Sequence, residues 1–154
     1  MHRSKGRAGM GDHIELDVPA RPEFLAMVRA IVTLIAETGS KLPVPRIDDL
    51  RLAVTEAFAN AIDAERRKPD GDRRPVVVRC ELEPDYVAVE VHDEGGGFDP
   101  AALTPHPDVT KPARLQFERG LGIPLMRELT DELEFRHEGG GTTVRLVLTS
   151  HLRS

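Results

Sequence analysis

The chain has 154 residues, enough for one hydrophobic core of ordinary size. Apolar residues make up 40% and charged residues 31%, a soluble globular balance, but with no Trp, one Tyr and five Phe the core must be aliphatic. A net charge of -5 argues against direct binding of nucleic acid, which needs basic surface to displace counterions, and one cysteine excludes both a disulfide framework and a multi-thiolate metal site.

The first thirteen residues, MHRSKGRAGMGDH, are basic and lack an apolar signal core, so they read as a disordered arm ahead of a single domain over 14–150. Ile14 to Val18 alternates apolar and polar residues, the period of a half-buried strand. After Pro19 and Pro22, Glu23 to Thr38 reads as a helix whose apolar positions Phe24, Met27, Val28, Ile31 and Ile35 recur at three and four, with Gly39 as its stop. The longest apolar stretch, Phe24 to Ala36, is broken by Arg29 and is too short to cross a bilayer; a cytoplasmic protein is expected.

Leu42 to Pro45 reads as a connection and Ile47 to Lys68 as a second helix, free of Gly and Pro and stopped by Pro69-Asp70-Gly71. The basic residues at its end, Arg66-Arg67-Lys68 with Arg73-Arg74, suit either a solvated helix end or an acidic partner. Val76 to Leu82 and Val87 to Val91 form a hairpin pattern, and the flanks of Cys80 make it a buried, inert thiol. A Gly-rich segment, Asp93 to Phe98, and a Pro-containing stretch, Asp99 to Glu118, follow. Ile123 to Glu132 reads as a short helix. Leu133 to Phe135 and Thr143 to Leu148, joined by Glu138-Gly139-Gly140-Gly141, form a last hairpin. Helices and strands are partly segregated, which implies an α+β fold: a mixed, mostly antiparallel sheet covered by helices on one face.

Four segments carry chemistry. In LRLAVTEAFANAIDAE, residues Leu50, Ala53, Val54, Ala57, Ala61 and Ile62 make an apolar stripe, with Glu56 and Asn60 one turn apart on its edge. Asparagine in mid-helix costs roughly half a kcal/mol against alanine and calls for a reason. The pair suits a general base and an oxygen ligand for Mg²⁺, or equally a polar rim beside the core. Asp93 stands at the end of an apolar strand before Gly95-Gly96-Gly97, where it can accept a hydrogen bond from an exocyclic amine or close a turn on its own backbone. Arg119-Gly120-Leu121-Gly122 opens a helix, a weak phosphate-site pattern when alone. Gly141-Thr142 brings a hydroxyl into the last strand.

The order and spacing of all four are more specific than any one, and together they resemble the GHKL ATPase superfamily. TEAFANA, DEGGGFDP, ERGLGIPLMREL and GTTVRLVL are most similar to its bacterial anti-sigma factor serine/threonine kinases, over nearly the whole of Ile14 to Leu148. The resemblance implies a two-layer, Bergerat-type ATP-binding sandwich with ATP between the helices and a lid over Thr104 to Glu118. By motif, Glu56 would be the general base and Asn60 the Mg²⁺ ligand; Asp93 would receive the adenine amine, with Gly95 and Gly97 in support. Gly120, Leu121 and Gly122 would approach the phosphates, Arg119 would contact the γ-phosphate, and Thr142 would bond adenine. The implied partners are a sigma factor, sequestered, and an anti-sigma factor antagonist, phosphorylated; homodimers form through the first strand and helix in this family. Ala64 replaces a frequent family histidine, so a nucleotide-switched sigma-binding module with little kinase activity is the alternative. A sensor histidine kinase fits less well, because the six histidines fall in arms, turns and loops and no upstream helix pair carries a phosphoacceptor.

Overall fold

The computed structural model describes residues 11–95 and 122–150. Its elements run β1 (Asp12–Val18), a single 3₁₀ turn (Pro22–Phe24), α1 (Leu25–Gly39), α2 (Val44–Arg66), a second 3₁₀ turn (Asp70–Asp72), β2 (Val76–Glu83), β3 (Tyr86–Asp93), α3 (Gly122–Leu129), β4 (Glu132–Glu138) and β5 (Gly141–Thr149). The strands form one sheet in the order β1-β2-β3-β5-β4, and every pairing is antiparallel. The strand β1 begins at Asp12, two residues earlier than expected. Residues 1–10 lie outside the described residues.

Period-2 alternation decides which side of the sheet is dry. Val76, Val78, Cys80 and Leu82 of β2, Val87, Val89 and Val91 of β3, and Val144, Leu146 and Leu148 of β5 are all buried on one face. The central helix α2 lies on that face against β3 and β5, and α1 and α3 flank it. Its stripe Leu50, Ala53, Val54, Ala57, Ala61, Ile62 is buried as the spacing implies, joined by Phe58 with no exposed surface. Burial of each large apolar side chain is worth about 1.5–3 kcal/mol, so this layer holds most of the stability. Cys80 is buried, and desolvation pushes its thiol up to about 11, which leaves no reactive thiolate.

The other sheet face is wet and charged. Glu90 accepts hydrogen bonds from Arg136 at 2.7 Å and Arg145 at 3.1 Å, and Arg145 also reaches Glu81 and Tyr86. The two glycines of the β4–β5 turn, Gly139 and Gly140, have φ of 59° and 85°, the pair of left-handed residues that a two-residue hairpin turn demands.

Several expectations change: α2 begins at Val44 and takes in Pro45, and α3 stops at Leu129, with Glu132 opening β4. The buried stripe of α1 is Val28, Val32 and Ala36; Met27 is 40% exposed and faces away from the core. His13, His92 and His137 lie in strands, not in arms or turns, though outside every helix. The basic stretch after α2 is in part a helix terminus: Arg73 donates to the carbonyls of Arg66 and Lys68, both at 3.0 Å, capping groups the helix leaves open.

Arg46, in the first turn of α2, is 1% exposed. Its guanidinium binds Asp131 at 2.6 Å and Asp49 at 2.8 Å, and donates to the carbonyls of Leu129 at 3.3 Å and Thr149 at 3.2 Å. One buried cation thus joins the start of α2, the end of α3 and the end of β5. Among the described residues no helix is long and apolar enough to cross a membrane.

Candidate functional site

The site lies where α2 crosses the ends of β3 and β5. Glu56 and Asn60 are half-buried on the rim of the α2 stripe, one turn apart. Across from them, β3 and β5 are paired with Asp93 opposite Thr142 and Val91 opposite Val144. Because side chains alternate along a strand, these four point together towards α2. They close a narrow cleft with Asn60, walled by Ala57, Ala61 and Phe135. Small residues on α2 leave the width; valine and phenylalanine supply flat apolar walls.

Three polar groups face this apolar space. Asn60 Nδ2 is buried with no hydrogen-bond partner among the described residues, a state that costs about 1–3 kcal/mol. Asp93 is 5% exposed, and burial pushes its carboxyl up to about 6. The hydrogen bond from Gly95 N–H to Oδ1, at 2.9 Å, pulls the other way; the Glu65 charge pushes it further up, while His92 and Arg67 oppose. Thr142 is 2% exposed, and its hydroxyl lies 3.1 Å from His137 Nδ1. A carboxylate acceptor, an amide and a hydroxyl around an apolar slot match a flat heteroaromatic ring bearing an exocyclic amine.

Glycines set the close approaches. A Cβ on Gly122, the first residue of α3, would collide with Glu56 Oε1, so the α3 N-terminus and the Glu56 carboxylate are in immediate contact. A Cβ on Gly95 would collide with the Ala64 carbonyl at the end of α2, and one on Gly141 would stand 2.6 Å from the Asp93 carbonyl oxygen.

Of the residues expected at the site, Asn60, Asp93 and Thr142 share the cleft, Glu56 and Gly122 touch each other one turn of α2 before Asn60, and Gly95 rests on α2. Gly97, Arg119, Gly120 and Leu121, and the Thr104 to Glu118 lid, lie outside the described residues. The sequence reading missed Phe135, His137 and Glu65. The signal for Phe135 and His137 was their two-residue spacing in a strand beside β5. No cluster of three or more His, Cys, Asp or Glu able to hold a metal occurs among the described residues. A cation here would take one or two ligands from the protein and the rest from phosphates and water.

A family model for the histidine kinase-like ATPase domain matches residues 18–148. The chain is 33% identical over 135 residues to the serine-protein kinase RsbW of Bacillus pumilus, covering 85% of this chain and 82% of that one. To the serine-protein kinase RsbW of Bacillus subtilis it is 32% identical over 146 residues, covering 92% and 86%. Among solved structures it superposes on the RsbU and RsbW domains of Rv1364c from Mycobacterium tuberculosis with a TM-score of 0.63 at 21% identity, over 90% of this chain and 32% of that one. It also superposes on the SiaB–SiaC complex from Pseudomonas aeruginosa with a TM-score of 0.60 at 13% identity, over 88% of each. Both structural likenesses concern the fold.

Proposed function

We propose that this chain, which belongs to the histidine kinase-like ATPase domain family and within it to the RsbW serine-protein kinases, phosphorylates serine or threonine on a protein partner with ATP as donor. The observation that carries the site assignment is the convergence of Asn60 Nδ2, Asp93 and Thr142 on one apolar cleft. The lining suits adenine in kind: Ala57, Ala61, Val91, Phe135 and Val144 would meet its faces and the Asp93 carboxylate its amine, and the cleft, which measures about 10 Å³ as it stands, must open to admit the ring. Mg²⁺ arriving with the phosphates would be held by Asn60 Oδ1, an oxygen ligand of the kind this ion takes, with its remaining positions filled by phosphate oxygens and water.

Mg-ATP supplies the γ-phosphoryl group and the positive charge that balances its oxygens. Asp93 would anchor the base, and Asn60, Glu56 and the N-terminus of α3 would be the groups that receive the triphosphate. Glu56 accepts the proton of the partner's hydroxyl while its oxygen bonds the γ-phosphorus and ADP departs. The α3 N-terminus adds the partial positive charge of its free amides.

The family resemblance supplies the partners: an anti-sigma factor antagonist as phosphate acceptor and a sigma factor held in the complex, with the reaction in the cytoplasm. Self-association would use β1 and α1, where Ile14, Met27 and Leu34 are 39%, 40% and 62% exposed. Incubation with γ-labelled ATP, Mg²⁺ and candidate antagonists tests the reading. Label on a serine or threonine of one antagonist is the expected result. Nucleotide-dependent stabilisation without transfer to any acceptor would leave a binding module in place of a kinase.

A further inference from the structure

Among the described residues, Glu65 is the one carboxylate with no exposed surface at all, on the last turn of α2. Burial of such a charge costs several kcal/mol unless donors surround it, so an apolar residue would serve a mere packing role at lower cost. Its donors are specific. Oε2 accepts the N–H of Glu94 at 2.6 Å, Oε1 accepts the N–H of Arg74 at 2.8 Å, and Lys68 Nζ sits 2.8 Å from Oε1. Lys68 Nζ also donates to the carbonyl of Glu94 at 3.2 Å. Both backbone groups of Glu94 are therefore held by side chains from the end of α2. Glu94 directly follows Asp93, and Gly95, next in line, is seated on the Ala64 carbonyl and donates to the Asp93 carboxylate.

We propose that Glu65 and Lys68 are positioning residues for the nucleotide, a brace that sets the shape of the 93–95 turn and thereby the aim of the Asp93 carboxylate. The inference rests on the assignment of Asp93 to the adenine amine. The brace acts on binding and not on transfer, because Glu56 stands more than two turns away along α2.

Lys68→Met removes the donor to Glu94 at a partly exposed position, and Lys68→Arg restores a cation. Glu65→Gln keeps the shape and one acceptor oxygen but removes the charge. The dissociation constant for ADP or a non-hydrolysable ATP analogue is expected to rise about tenfold in Lys68→Met, the loss of one hydrogen bond to a charged group, and to recover in Lys68→Arg. The rate of phosphotransfer at saturating ATP should remain within about twofold of the parent, since transition-state groups are untouched. In Glu65→Gln the pH at which nucleotide affinity is lost should also move lower. The groups facing Asp93 are Glu65, His92, Arg67 and the Gly95 amide, and Glu65 is the anion among them. A purely structural Glu65 would weaken binding without moving that midpoint. Unchanged nucleotide affinity in Lys68→Met and an unmoved midpoint in Glu65→Gln, with the parent binding normally, would overturn the brace. If the parent protein binds no adenine nucleotide, the site assignment itself is wrong.

Discussion

Asp93→Asn is expected to stabilise the nucleotide-free protein while it abolishes tight nucleotide binding. The Asp93 carboxyl lies at about 6 in the fold, against 3.8 for an ordinary aspartate, chiefly because burial disfavours its charge. Since the folded state binds the proton more tightly, Asp93 contributes most stability below its unfolded pKa, and this is lost as pH rises towards 6 and beyond. A difference of 2.2 units corresponds to about 3 kcal/mol of lost stability at pH 8, about 1.5 at pH 5 and about 0.5 at pH 4. Asparagine keeps the size and the Oδ1 acceptor for Gly95 but carries no charge. Denaturant unfolding of parent and variant should therefore show an advantage for Asp93→Asn of up to about 3 kcal/mol at pH 8 that shrinks by half or more towards pH 5. Addition of ADP should reverse the order at pH 8, because with Oδ1 held by Gly95 the asparagine would turn its NH₂, a donor, to the adenine amine, and a ligand that binds the native state alone raises its stability. A variant less stable than the parent at pH 8, or an advantage that does not vary with pH, would refute the view that Asp93 is a desolvated carboxylate retained for its ligand.

Glu56→Ala should keep nucleotide affinity but lose roughly 10²–10⁴-fold in phosphotransfer, measured with labelled ATP and a saturating acceptor. Gly122→Ala should lower the same rate and reduce stability, since its methyl would displace the Glu56 carboxylate; a crystal structure of the variant with Glu56 unmoved would contradict this. Thr142→Val should weaken ADP binding by about tenfold, the value of one hydrogen bond, and leave the fold nearly as stable; isothermal titration reads it. Arg46→Ala should cost about 1–3 kcal/mol in chemical denaturation, because it empties a fully buried position and takes the donor from the part-buried carbonyls of Leu129 and Thr149, while Asp131 keeps the Thr149 amide and water.

The parts of the fold visible in the sequence are those that local patterns specify. Alternation in 76–82 and 143–148 and the glycines at 139 and 140 reveal strands and their turn, because strand period and left-handed backbone depend on adjacent residues alone. Asn60 stands out because asparagine in mid-helix is unfavourable against alanine, and Asp93 because it ends an apolar strand just before three glycines, although its bond to the Gly95 amide also closes the turn there. In α1, Leu25, Met27, Val28, Ile31, Val32, Leu34 and Ile35 cover about half the helix circumference, wider than the buried stripe, so spacing alone places Val28, Phe24 and Ile35 on the core but does not show that Met27 falls on the exposed edge. The start of α2 came out three residues late, since Pro45 was counted as connection although a first helical turn tolerates proline. Arg46 and Glu65 were illegible as buried charges. Each has one local partner three residues on, Asp49 and Lys68, but the partners that make burial tolerable lie 85 and 103 residues away for Arg46 and 9 and 29 away for Glu65, and only the fold brings them near.

The helix α2 carries the Arg46 junction on its first turn, Glu56 and Asn60 in its middle and Glu65 on its last. These residues are in register only because they share one uninterrupted rod. Deletion of a single residue between Arg46 and Glu65 would turn everything beyond it by about 100° and draw it back by about 1.5 Å. The Ala57 to Ile62 surface would rotate off the sheet, and Glu65 would leave the amides of Arg74 and Glu94. Substitutions within α2 can be absorbed one side chain at a time, whereas changes in length cannot. Insertions and deletions in natural variants should therefore fall before Val44 or after Arg66, and a homologous helix grafted into this chain should function only at the same 23-residue length.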